Sequence, residues 1–292
     1  MIKLHQPHAQ LYIPDGTAET EALARTTHLA IAAHQDDIEI MAIDGILEAF
    51  GQPDKWFTGV VMTNGAGSPR TGIYGRFTDE EMRQVRALEQ KKAAFVGDYA
   101  AQFLLDYPSA QVKDPDNLAP VEDLIAILQA TQPDIVYTHN PADKHDTHIG
   151  VLMKTLAAIR SLPQEARPRK LYGCEVWRDL DWMLDEDKVA FDVSRFENLQ
   201  MALVAVFDSQ VSGGKRYDLA TMGRRRANAT YYASHATDIA ELMTFAMDLT
   251  PLIENDDLDL IDYVMGYIQR FAEDVRGRLA RNYLSKPKIA LA

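Results

Sequence analysis

The run His28-Leu29-Ala30-Ile31-Ala32-Ala33 passes without a spacer into His34-Gln35-Asp36-Asp37. A short, unbroken apolar run cut off by polar residues fits a strand buried on both faces. Such strands belong to parallel sheets covered by helices. The next segment agrees. Over residues 38–50 the small and apolar residues Ile38, Met41, Ala42, Gly45, Ile46 and Ala49 recur at helical spacing, and Gly51-Gln52-Pro53 ends the pattern.

The same unit returns along the chain. Residues 57–62 read as a second strand and residues 63–69 as a loop. Residues 78–96 read as a long helix with Thr78 as N-cap and Glu81 three residues on, a capping-box pattern. Strands are expected at residues 100–105 and 134–138 and helices at 120–130 and 148–160. Residues 171–177 and 189–193 read as later strands. Residues 199–207 and the chain from Met222 onward read as mostly helical, and residues 1–27 as an irregular leader with a short helical piece at 20–25. Alternating strands and helices predict an α/β fold with a mainly parallel sheet and right-handed crossovers. Residues 1–213 are expected to carry any site. Residues 214–292 are expected to form a helix-rich extension, either a cap over the site or an oligomer contact, within one compact unit.

Charge and cysteine usage narrow the function classes. The formal net charge of −13 repels phosphate backbones, so nucleic acid is excluded as the expected partner. Arg224-Arg225-Arg226 reads as a solvated helix face. The single cysteine, Cys174, forms no internal disulfide and fits a reducing compartment. Its apolar neighbours make it a core residue rather than a nucleophile. Residues 1–14 show no basic segment leading into an apolar run, so no signal peptide is expected. No run of roughly 18 apolar residues predicts a membrane span. The expected location is the cytoplasm.

Two polar clusters carry chemistry, and each directly follows a predicted strand. In the first, His34, Asp36 and Asp37 crowd two carboxylates beside an imidazole, an arrangement that a cation offsets. His34 and Asp37 are three residues apart on a helix-opening turn and face one point. Asp36 is then left free beside them. The second cluster spans residues 138–148 and holds His145 and His148, again three apart. Two histidines and one aspartate with a fourth position for water make the pattern of a catalytic zinc site. Each part has a plainer reading alone: Asp36-Asp37 as a helix cap, His145 and His148 as a polar loop. Two clusters at the carboxyl ends of two strands favour the functional one. A dinucleotide site is disfavoured, because no G-x-G-x-x-G turn follows the first strand.

The ordered series Ala33-His34-Gln35-Asp36-Asp37, Thr63-Asn64-Gly65, Arg86-Ala87-Leu88-Glu89 and His145-Asp146-Thr147-His148 resembles the PIG-L/LmbE-like N-deacetylase superfamily, over about residues 28–160. The first motif is specific, and the others gain weight from their order. The resemblance implies a Rossmann-like three-layer fold. It also implies zinc-dependent removal of an acetyl group from an N-acetylglucosamine-like conjugate, with ferrous iron as the alternative metal in cells. His34, Asp37 and His148 would hold the metal, and Asp36 would act as general base. His145 would steady the oxyanion or pass a proton to the leaving amine, and Arg86 would contact the substrate. A related amidase acting on a thiol conjugate, or a non-catalytic sugar- or nucleotide-binding protein, are the other readings. The chain departs from the family where Gln35 replaces Pro and Thr147 replaces Asp. Asp143 and Asp146 are candidates to cover the missing acid. Asp208-Ser209-Gln210 lacks the histidine of the corresponding family element, so no role is carried onto it. Arg70, Tyr74 and Arg76 lie in a loop placed either to rim the pocket or to move freely at the surface.

Overall fold

The alternation is realised in the computed structural model, which describes residues 2–283. In chain order the first half runs β1 (Gln10–Tyr12), α1 (Glu19–Ala24), β2 (His28–Ala32), α2 (Asp37–Met41), α3 (Ile43–Ala49), β3 (Phe57–Thr63), α4 (Asp79–Val96), β4 (Ala101–Tyr107), α5 (Ser109–Lys113) and α6 (Ala119–Thr131). Then come β5 (Ile135–His139), α7 (Asp146–Arg160), β6 (Lys170–Cys174), β7 (Val189–Asp192), α8 (Glu197–Ala205), α9 (Asp208–Val211) and α10 (Tyr217–Tyr231). β8 (Met243–Asp248), α11 (Pro251–Glu254) and α12 (Leu260–Asn282) complete the described chain.

One eight-stranded sheet has the order β1-β4-β3-β2-β5-β6-β8-β7. Its centre, β4-β3-β2-β5-β6, is parallel throughout. β1, β8 and β7 are antiparallel additions at the two sides. Side chains alternate across each strand. Leu29 and Ile31 of β2 enter a core with α6 and α7, while Ala30 and Ala32 enter a second core with α2, α3, α4 and α8. The result is a three-layer, Rossmann-like arrangement. Strand order turns between β2 and β5, and in such sheets the crevice outside the carboxyl ends at that turn is where ligands bind.

The long helix α4 starts as its sequence directs. The Thr78 hydroxyl accepts from the Glu81 N–H, and the Glu81 carboxylate accepts from the Thr78 N–H. Elsewhere tertiary packing overrides local pattern. The helix expected over residues 38–50 breaks at Ala42 (φ −105°, ψ 25°) into α2 and α3. Beyond the break Gly45 lies so close to the Tyr137 ring that a Cβ there would stand 2.5 Å from it. The apolar spacing continues through the bend and does not reveal it.

Among the described residues after Met222, the regular elements are helices except for β8. Met243, Phe245 and Met247 enter one core and Ala246 the other, as a strand requires. Its partners β6 and β7 lie far back in the chain, so an apolar run there reads equally well as helix. β1, within the expected irregular leader, gains its identity from pairing with β4. The arginine run is also corrected. Arg225 is buried, with Nη2 donating to the Glu39 and Ile40 carbonyls and Nη1 to Gln200 Oε1. These bonds clamp α10 onto α2. Cys174 is buried as expected, and burial holds its thiol well above the usual range.

Candidate functional site

β2 ends at Ala32, and the next residues turn across the carboxyl edge of the sheet. Asp36 takes a left-handed backbone (φ 89°) to do so, and α2 begins at Asp37. This turn sets two adjacent aspartates side by side. Asp37 Oδ2 accepts the His34 N–H at 2.7 Å and lies 3.1 Å from His34 Nδ1. From the other side of the strand-order turn, the first turn of α7 brings His148. Its Nε2 is 3.3 Å from Asp37 Oδ2 and 3.3 Å from His34 Nδ1.

These three atoms form a nearly equilateral triangle. Zinc bonds of about 2.0–2.1 Å in a tetrahedron set neighbouring donors about 3.3–3.4 Å apart. The donor set and spacing therefore fit a tetrahedral cation with three protein ligands. His139, Asp143 and His148 also converge. That second group uses the opposite face of His148, and neither His139 nor Asp143 reaches the cavity described below. Of the two groups, only His34, Asp37 and His148 puts ligand residues on the cavity wall, through His34 and Asp37.

Electrostatics keep the acid ionised. Burial pushes the Asp37 carboxyl up, but His148 and His34 outweigh it and hold the group well below the usual carboxylate range. Burial likewise disfavours charge on His148, and the Asp37 and Asp143 carboxylates reverse this and raise it. Asp143 Oδ2 stands 3.4 Å from His148 Nδ1. The same carboxylate accepts the backbone N–H groups of His145 and Trp177. Asp143 thus fills the place behind the histidine, whereas Asp146 is exposed at the start of α7.

Asp36 is buried beside the triangle, and burial with the neighbouring Asp37 charge pushes its carboxyl up against the pull of Arg86. Arg86, on α4, is itself buried. Its Nη1 donates to Asp36 Oδ2 at 3.4 Å and its Nη2 to the Gln35 carbonyl at 2.5 Å. The Asp36 N–H donates to Gln90 Oε1, and Gln90 Nε2 donates to Glu39, which also accepts from the Tyr99 hydroxyl. One turn beyond Arg86, Glu89 accepts from the Ser209 N–H and hydroxyl, both at 2.7 Å. The Arg-x-x-Glu face of α4 therefore holds the aspartate turn with one residue and α9 with the other.

A cavity of about 420 Å³ opens over the triangle, lined by His34, Asp36, Asp37, His145, Arg86 and the 64–69 loop, with Trp177, Gln210, Lys215 and Tyr217 opposite. His145 caps α7, with Nδ1 accepting the Thr147 N–H. Its ring stands edge-on to His34 at 4.9 Å and stacks near Trp177 at 6.4 Å. Burial and the nearby His148 and His34 lower its pKa.

All six residues singled out from the sequence meet here. Gln35 turns away from the triangle, and its Nε2 donates to the Thr63 carbonyl. Gly65, at φ 68°, closes against it: a Cβ there would lie 2.4 Å from Gln35 Oε1. Tyr74 and Arg70 are engaged elsewhere, with Asp208 and Asp79.

Sequence reasoning missed several residues. His139 lies fully buried beneath the site, its Nε2 accepting the Ala33 N–H at 2.9 Å and its ring stacked on His148 at 3.8 Å. Burial, with His148 adding, keeps it neutral. Its place as the last residue of an apolar strand was the available signal. Trp177, Lys215 and Tyr217 lie outside the matched motifs and nothing local marks them, while Gln210 sits in the Asp208-Ser209-Gln210 element onto which no role is carried.

Fold and site define a Rossmann-like α/β protein in which two histidines and one aspartate, a set that could hold a cation, meet at the turn of strand order. Comparison with known proteins agrees. Residues 29–159 match the family described as PIG-L, GlcNAc-PI de-N-acetylase. The chain is 30% identical over 155 residues to the uncharacterized deacetylase YaiS of Escherichia coli K12, covering 51% of this chain and 77% of that one. The chain belongs to the PIG-L/LmbE-like deacetylase family. Two solved structures share its fold. GalB, the 4-carboxy-2-hydroxymuconate hydratase of Pseudomonas putida KT2440, superposes with a TM-score of 0.58 at 14% identity, covering 77% of this chain and 95% of that one. N,N'-diacetylchitobiose deacetylase of Pyrococcus horikoshii gives 0.57 at 17% identity, covering 82% and 89%. A hydratase and a deacetylase on one fold show that chemistry must be argued from the site.

Proposed function

We propose that the protein is a metal-dependent hydrolase, with zinc as its ion, that removes an N-acetyl group from an amino-sugar-like conjugate. The observation that carries this reading is the donor triangle of His34, Asp37 and His148 with a free carboxylate, Asp36, at its side. When bound, zinc supplies Lewis acidity that polarises an amide carbonyl and brings the pKa of water down to ~7.

The chain's own residues supply the rest. Asp36 takes the proton of the attacking water at a carboxylate oxygen, held in place by Arg86 and by Gln90 through its backbone N–H. His145 faces the same space and either donates to the developing oxyanion or hands a proton to the leaving amine. Arg86 acts chiefly by fixing Asp36 and the Gln35 carbonyl, with one edge toward substrate. Trp177 and Tyr217 meet edge to face at 6.1 Å, and Lys215 Nζ lies 5.1 Å over the Trp177 ring. An apolar ring face beside a cation suits a sugar carrying an anionic or polar aglycone.

We read residues 1–213 and 214–292 as one compact unit, supported by β8 lying inside the sheet and by Lys215 and Tyr217 lining the cavity. Among the described residues no helix is long and apolar enough to cross a membrane. The lone buried thiol supports a cytoplasmic location.

The test is amine release from N-acetylglucosamine conjugates by zinc-loaded protein, with metal content measured beside it. Turnover that disappears on chelation and returns with zinc supports the reading. A protein that takes up no metal and binds sugars without turnover would replace it with a binding function.

A further inference from the structure

The helix α12 presents an apolar face that nothing among the described residues covers. Ile261, Met265, Ile268, Ala272, Val275 and Leu279 recur at alternating intervals of four and three residues, the spacing of a coiled-coil seam. Ile261 is 71% exposed, Met265 51% and Leu279 66%. The helix is fastened to the body by its opposite side. The Tyr263 hydroxyl donates to the Asp248 carbonyl at 2.6 Å, and Arg270 pairs with Asp187 at 2.8 Å. Of its residues, among those described, only Val264 is buried. Leu260, Tyr263, Val264 and Tyr267 pack on the core, and a continuous apolar stripe left outward on a 23-residue helix marks an interaction surface.

We propose that this stripe pairs with α12 of a second copy of the chain, antiparallel about a two-fold axis near Arg270. The pattern is its own complement in that arrangement. It sets Ile261 against the partner's Leu279, Met265 against the partner's Val275, and Ile268 against the partner's Ala272. The two-fold repeats each layer, so the seam is apolar from end to end. An isologous contact requires such self-complementarity.

Charge selects the same direction. Asp257, Asp259 and Asp262 lie at or before the start of the helix, and Arg276 and Arg281 lie in its last turns, whereas Asp256 and Arg278 are paired within the chain with Arg167 and Asp274. Antiparallel pairing brings the acidic end of each helix to the basic end of the other, with Asp262 beside the partner's Arg276 at the edge of the seam. Parallel pairing would oppose like charges.

The test is the mass of the full chain in solution by sedimentation equilibrium. The expected result is twice the chain mass of 32.8 kDa. Ile268→Glu, at an exposed position, is expected to give the single-chain mass with an unchanged far-UV circular dichroism spectrum. Asp262→Arg is expected to weaken the dimer about tenfold, and Arg276→Asp in the same chain to restore it. A wild-type chain at single-chain mass would overturn the proposal. So would a dimer indifferent to Ile268→Glu, or a charge reversal with no rescue. A chain that pairs only after residues 284–292 are removed would make that tail the occupant and overturn it equally.

Discussion

Asp143 places a carboxylate oxygen 3.4 Å behind His148 Nδ1 while His148 Nε2 faces Asp37. A carboxylate there orients the ring and would make Nε2, toward Asp37 and His34, a better metal donor. Asp143→Asn is expected to weaken metal binding about 10–100-fold. Asp146→Asn is expected to leave it unchanged, because Asp146 is exposed. Competition with a metallochromic chelator measures both variants. Equal affinities in the two would remove Asp143 from this role.

Asp36 lines the same cavity as His34 and Asp37 without belonging to the donor triangle. Asp36→Ala is expected to lower kcat by about 10²–10⁴ while metal content stays at the wild-type level. His148→Ala is expected to lose metal and activity together. Normal turnover by Asp36→Ala, or full metal occupancy in His148→Ala, would refute the corresponding assignment.

Glu89 receives two hydrogen bonds from Ser209 in a buried position. Glu89→Ala leaves a buried N–H and hydroxyl without their acceptor, at an expected cost of about 1–3 kcal/mol. Because α9 carries Gln210 to the cavity wall, KM is expected to rise as well. Urea unfolding and steady-state kinetics read the two effects separately. An unchanged unfolding midpoint would show that α9 is held by other contacts.

Trp177 forms one wall of the cavity without touching the donor triangle. Trp177→Ala is expected to raise KM about tenfold for sugar conjugates, equivalent to ~1.4 kcal/mol, with metal content unchanged. A variant with normal KM would place substrate elsewhere in the cavity.

Asp44 is largely buried and accepts the Tyr137 hydroxyl at 2.8 Å, and burial raises its pKa to about 6. Its folded value lies above the unfolded one, so the native state binds the extra proton between about pH 4 and 6. Stability from this group is therefore present at low pH and lost as pH rises through that window. Asp44→Asn is expected to flatten the loss and to leave the protein more stable than wild type at pH 7. Denaturant unfolding across this range checks it; parallel pH profiles for the two proteins would contradict it.

The sequence by itself determined the parallel centre of the sheet and the polar clusters that lie beyond the carboxyl ends of two of its strands. An apolar run as short as residues 28–33 is stable only when covered on both faces; His34, Asp36 and Asp37 follow such a run directly, and His145 and His148 lie in the segment that follows a second. The start of α4 was also legible, because a capping box is satisfied within four residues. Tertiary structure alone decided what depends on partners distant in the chain. β8 is a strand because β6 and β7 offer it hydrogen bonds, and the helix breaks at Ala42 with no signal in the apolar spacing. Asp143 rather than Asp146 backs His148, because the one is buried against the ring and the other faces water. His139, Trp177, Lys215 and Tyr217 join the site only through packing. Local sequence specifies hydrogen bonds that close within a turn, whereas the surroundings of a buried polar group are set by segments that folding alone brings together.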